Sequence, residues 1–175
     1  MIEVSENIRA GTNVRWTAGN TYLLKRVVYV ETNAVLTIEP GTVIKGAKAA
    51  NALATPGIPN AVSALWVTRG AKLIADGTAD KPIVFTAEDD DVANPNDLPL
   101  YSAGLWGGVV LLGNAQINSA ANSAGNVASP KYEVFEGTED LPQHRFWGTN
   151  DAESSGVVRY VSIRYPGNQF SPNQE

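Results

Sequence analysis

The only histidine, His144 in "LPQHRFWG", is the natural starting point for any proton-transfer chemistry. A Ser-His-Asp triad would have to be built around it, yet no Gly-x-Ser-x-Gly nucleophile turn occurs anywhere in the chain. With one His and no Cys, a zinc site of several His or Cys ligands is excluded. The acidic run "EDDD" (88–91), followed by Asn94, Asn96 and Asp97, offers the hard oxygen ligands that calcium prefers. Asp89, Asp90, Asp91 and Asp97 are its candidate ligands. The spacing is not that of an EF-hand loop, so the competing reading is a solvated acidic turn and no cofactor at all. A second group, Glu133, Glu136, Glu139, Asp140, Asp151 and Glu153, could supply the paired carboxylates of a glycosidase. Sequence gives no distance between them, and charge in Gly-, Pro- and Asn-rich loops is ordinarily there for solvation.

Aromatic and basic residues carry a third chemistry. Trp66, Trp106 and Trp147, with Tyr101, Tyr132 and Phe146, could stack against sugar rings. The phrase "GLWGGV" places Trp106 in or against an apolar core. Trp147 beside Arg145, together with Tyr101, forms the expected ligand-contact set. Arg69, Arg145, Arg159 and Arg164 are candidates for a base that removes a proton from an acidic sugar, although no local motif singles one of them out.

These residues need a scaffold, and composition restricts its kind. A chain of 175 residues, 43% hydrophobic and 18% charged, suits one well-buried domain. Sixteen Gly and ten Pro punctuate short stretches rich in Val, Ile, Thr and Tyr, which predicts strands. A net charge of −5 with no basic run argues against a nucleic-acid partner. The longest apolar run, "GLWGGVVLLGNA" (104–115), falls short of the roughly 20 residues of a membrane-spanning helix. The opening "MIEVSENIRA" lacks a basic patch followed by an apolar core, so a secretion signal of the natural precursor is expected to have been removed or replaced.

An internal repeat then fixes the architecture. "VYVETNAVLTIEPGTVIKG" (28–46) and "LWVTRGAKLIADGTADKPIVFTA" (65–87) share a strand, a short corner, Ala-x-Leu, Gly-Thr and a further strand. Val30 aligns with Val67, Leu36 with Leu73, and Gly41-Thr42 with Gly77-Thr78. The intervening 47–62 reads as a loop thrown out of a unit of roughly 20–25 residues. Asn33, Gly41, Gly70 and Gly77 mark corners where the backbone turns left-handed. Alternation sends Leu36, Ile38, Leu73 and Ala75 inward and Thr37 and Glu39 outward, with Val161, Ile163 and Tyr165 inward near the end.

Single turns of this length cannot bury an apolar face alone, whereas stacked in parallel they share one dry column. The fold expected is an all-β, right-handed parallel β-helix, a solenoid with an N-terminal cap over 1–27, plugged by Trp16. Turns follow over 28–175, with inserted loops at about 47–62, 88–103 and 119–155.

The order of "NVRWTAGNTYLLKRVVYVETNAVLTIEPGTVIKG", "ALWVTRGAKLIADGTADKPIVFTA", "GLWGGVVLLGNAQIN", "FEG" and "SGVVRYVSIRYPG" resembles the right-handed parallel β-helix domains of secreted and surface bacterial proteins of Bacteroidetes type. The resemblance implies a secreted or outer-surface location and a chain truncated within its solenoid after "QFSPNQE". It implies an open C-terminal rung able to stack on a second copy. The function expected is a non-catalytic, structural or adhesive module with a polysaccharide or cell-surface partner. The alternative is a carbohydrate-active enzyme domain of polysaccharide-lyase or glycoside-hydrolase type.

Overall fold

The computed structural model describes residues 1–99, 101–117 and 132–170. The parts of the expected loops and of the open C-terminal rung that fall on 118–131 and 171–175 lie outside the described residues. After β1 (Ile2–Val4), the chain climbs in three-sided turns. The first is β2 (Asn13–Trp16), β3 (Thr21–Leu24) and β4 (Val27–Val30). The second is β5 (Val35–Ile38), β6 (Val43–Gly46) and β7 (Ala64–Val67). The third is β8 (Lys72–Asp76), β9 (Ile83–Ala87) and β10 (Gly108–Leu111). A long insertion holding β11 (Glu133–Val134), a 3-10 turn (Pro142–His144) and β12 (Arg145–Phe146) precedes β13 (Gly156–Arg159) and β14 (Val161–Ile163).

Like sides of successive turns stack into three parallel sheets, in the orders β1-β3-β6-β9-β14, β13-β8-β5-β2 and β10-β7-β4. The short β11–β12 pair is antiparallel and stands apart. This is a parallel β-helix. Asn13 pairs with Val35 and Thr21 with Val43, so an uninterrupted turn takes 22 residues. Val30 stacks on Val67 and Leu36 on Leu73, as the repeat predicts.

The structure departs from the sequence reading in three places. The stretch 13–24, counted with the cap, already forms two strands of a complete turn, and Trp16 is buried, stacked on Tyr22 at 4.8 Å. The alternating pattern of β2 is brief, which hid it. Gly41-Thr42 does not align with Gly77-Thr78: Val43 pairs with Val84, so the third turn carries extra residues at that corner. Asn33, Gly41 and Gly70 do turn left-handed, but Gly77 does not; a Cβ there would stand 2.5 Å from the Tyr160 carbonyl, so it is close approach that the position requires. Ile163 shares the inward phase of Val161 and stacks on Phe85, yet it is 46% exposed where Phe85 is 1%. No further turn among the described residues covers it.

Burial explains why the strands read so differently. In β5 only Leu36 and Ile38 are buried, since one face meets the column and the other meets water. In β4 and β7 every residue is buried. Val28, Val30, Leu65 and Val67 face the column, while Val27, Tyr29, Ala64 and Trp66 face outward into a second apolar cluster with Ile58, Val62, Leu112 and Phe170. The inserted loops therefore fold back over this sheet and give it an outer core. No helix among the described residues is long and apolar enough to cross a membrane.

Candidate functional site

The outer core pulls His144 into the flank of the β10-β7-β4 sheet. Its side chain is fully buried, and it sits 5.4 Å from the Trp66 ring and 5.8 Å from that of Tyr29. Nδ1 lies 2.8 Å from the Glu139 carbonyl, which can only accept, so Nδ1 carries the proton and Nε2 offers its lone pair to the Tyr29 hydroxyl at 2.7 Å. Burial lowers the imidazole pKa and raises that of the phenol, which keeps both groups neutral. A histidine with both ring nitrogens occupied by a tyrosine and a backbone carbonyl is a clasp for the insertion. Gly57 completes the clasp from the other loop, because a Cβ there would meet Leu141 at 2.5 Å and His144 at 2.9 Å.

Three carboxylates of the insertion are clasps too. Glu153 accepts from the Asn114 backbone and side-chain amides, and Asp151 accepts from the Gln116 amide at 2.8 Å. Asp140 accepts from Arg145 at 2.6 Å and from the Tyr132 hydroxyl at 2.9 Å, and the Arg145 guanidinium, the first cause, holds its pKa below the usual carboxylate range.

The residues singled out from sequence are dispersed. Arg145 is committed to Asp140 and lies over the Tyr132 ring at 3.9 Å. Trp147 is half-buried, with φ +148°, and its carbonyl accepts from Arg69 Nη1 at 2.8 Å. Tyr101 is 89% exposed, and among the described residues no hydrogen bond or ring contact joins it to Arg145 or Trp147. Trp66 and Trp106 are wholly buried, Trp66 in the outer core and Trp106 in the column, where its indole donates to the Arg164 carbonyl at 2.8 Å. Neither can present a ring to a ligand.

The acidic turn is divided among different partners. Asp89 pairs with Lys48 at 2.9 Å. Asp90, 1% exposed, accepts from the Thr86 hydroxyl at 2.5 Å and faces Arg164 at 3.5 Å. Asp91 caps the Ala93 amide, and its own amide donates to Asp97. Among the described residues no group of three or more acidic or histidine side chains converges as a metal cage would.

One cleft, of about 460 Å³, opens between the N-terminal segment, the rim of the β4–β7 ladder and both loops. Such a volume suits a small ligand or a short run of sugar units. Asn7, Thr32, Thr68 and Gln143 line it with amides and hydroxyls, Tyr29 closes its floor, and Pro56 and Pro142 form the loop walls. Arg26 and Arg69 lie in the same wall. Arg26 was not singled out from sequence. The one signal available was a cation standing directly before the wholly apolar strand "VVYV", where burial forces it to an end of the sheet.

The family model for a pectate-lyase-like β-helix domain matches residues 7–175. No curated protein and no solved structure matches the chain.

Proposed function

The chain belongs to the pectate-lyase-like β-helix family, and on that premise we propose that it is a non-catalytic, glycan-contacting module with an adhesive role, secreted or held at the outer cell surface. The observation that carries this reading is the cleft at the rim of the β4–β7 ladder, where amide and hydroxyl side chains meet an apolar wall. Sugars are recognised by that mixture, since each hydroxyl needs a partner while the ring's C–H face needs apolar cover.

Its non-catalytic character is supported by the state of the acid–base candidates. His144 has both nitrogens engaged away from solvent, and Asp140, Asp151 and Glu153 are bonded to the insertion's own backbone and side chains. Arg145, Arg159 and Arg164 each pair with a carboxylate, which commits these three guanidinium groups to partners within the fold.

A glycan array read alongside a turnover assay tests the proposal. Binding is expected without release of unsaturated products or reducing ends from a panel of acidic and neutral polysaccharides. Turnover that disappears on substitution of an arginine or a carboxylate would establish the enzymatic reading in its place.

A further inference from the structure

The insertion that carries His144 joins the solenoid at a narrow neck. The Trp147 amide donates to the Gly113 carbonyl at 3.3 Å and the Gly148 amide to the Ala115 carbonyl at 2.9 Å, while Glu153 and Asp151 hold the amides of Asn114 and Gln116. With its two feet fastened to each other, the segment beyond them can leave the flank without drawing a strand out of the column. Its described residues 132–146 are held on the flank by Phe135 packed against Trp66 at 4.7 Å, by the Glu139 amide on the Gly57 carbonyl at 2.9 Å and by the Tyr29–His144 bond. Pro142 and Gln143, the two residues before His144, form a wall of the cleft, so the position of that wall follows the imidazole.

The clasp suits one protonation state. Nδ1 already donates to the Glu139 carbonyl, so a proton on Nε2 makes the ring a cation whose second N–H meets the hydrogen of the Tyr29 hydroxyl. That hydroxyl must then turn away, and a charge is left in a fully buried position. The groups around it offer little compensation. On β4, Arg26 places a positive charge near Tyr29. The neighbours from β7 and the 47–62 loop, Trp66 and Gly57, are neutral. Of the charged groups lining the cleft, Glu31 is bonded to Asn7 and the Ala10 amide, and Arg69 to the Trp147 carbonyl. Within the insertion Asp140 is paired with Arg145, and the Glu139 carboxylate attracts the ring from an exposed position, an effect smaller than the burial that opposes it.

We propose that His144 is an acid-sensitive latch: on taking up a proton it releases the 132–146 segment from the β4–β7 flank while the column stays folded, and the cleft loses its Pro142–Gln143 wall. The released ring titrates near the usual 6.5, whereas the buried ring refuses the proton. Each pH unit below about 6.5 therefore favours the released form by up to roughly tenfold, until the pKa of the buried ring is passed. Whatever occupies the closed cleft binds less tightly in acid and, reciprocally, holds His144 unprotonated. The latch stands whether or not that occupant is a glycan.

The experiment is hydrogen exchange of the full chain between pH 7.5 and 5.5, corrected for the intrinsic exchange rate and run with and without sub-denaturing urea. The amides of Phe135, Glu139 and His144 report on the insertion, and those of Val35 and Val84, bonded to the Thr12 and Thr42 carbonyls, report on the column. The insertion amides should be less protected than the column amides and less steeply dependent on urea, because opening the latch exposes less surface than unfolding the chain. Their protection should fall by up to roughly tenfold per pH unit below about 6.5. His144→Gln should lose that slope. Tyr29→Phe, which keeps the titrating ring, should keep the slope and be less protected already at pH 7.5. Equal protection and equal urea dependence in insertion and column would show that the clasp opens only with the whole fold, and would overturn the latch. A flat pH profile in the parent, or a slope that survives in His144→Gln, overturns it as well; the first of these and the urea comparison need no variant.

Discussion

The Tyr29 hydroxyl donates to His144 Nε2 at 2.7 Å across 115 positions of sequence, and both side chains are buried. One residue belongs to the first turn of the helix and the other to the last insertion. Removing the hydroxyl leaves a buried acceptor unpaired, so Tyr29→Phe is expected to cost about 1–3 kcal/mol of stability. Urea denaturation checks this, and an unchanged midpoint would mean that the bond contributes nothing net.

The same histidine predicts a pH dependence. Burial holds its folded-state pKa below the usual 6.5. As pH falls through about 6.5 the unfolded chain takes up a proton that the folded chain refuses, so stability declines below pH 7 and levels off once the folded-state pKa is passed. Above pH 7 this group contributes no slope. Asp140 and Glu39, whose pKa values are lowered chiefly by Arg145 and Arg15, act only in a separate window below the usual carboxylate pKa. Melting temperatures from pH 7.5 to 5.5 should fall in the parent and stay nearly level in His144→Gln. Parallel profiles would acquit His144.

Gly156 begins β13 with φ +122°, and a Cβ there would stand 2.0 Å from the Leu73 carbonyl of the strand below. Neither the backbone conformation nor the spacing tolerates a methyl group, so Gly156→Ala should cost about 3 kcal/mol or more. A thermal melt with hydrogen exchange on β13 would show it, with protection lost first in that strand.

Trp106 fills the column beneath the last turn and donates to the Arg164 carbonyl. Trp106→Ala should destabilise by about 3–5 kcal/mol through the cavity and the freed acceptor. Trp106→Phe should cost less and retain most of the near-ultraviolet circular dichroism.

Calcium is expected to leave the melting temperature unmoved at millimolar concentration, because Asp89 and Asp90 already face Lys48 and Arg164. A rise that Asp91→Asn or Asp97→Asn abolishes would assign the acidic turn to the cation after all.

What could be read in the residues was whatever repeats locally. Val30 over Val67 and Leu36 over Leu73 follow from alternation and from corners at Asn33, Gly41 and Gly70, each a property of a few adjacent residues. Even there the reading slipped where a corner lengthened, at Gly77, because an insertion shifts the period without changing the local pattern.

The amino-acid order by itself determined a column of stacked turns, since a short apolar strand with one greasy face has no stable partner but another like it. Only the tertiary structure decided where chemistry resides. Tyr29 reads as an ordinary strand residue and Trp66 as a surface for sugar rings until the loops fold over both, and Arg26 and Arg69 stand 43 positions apart in sequence yet line one cleft. Contacts between distant segments depend on the energy of docking the whole loop, and no short window of sequence records it.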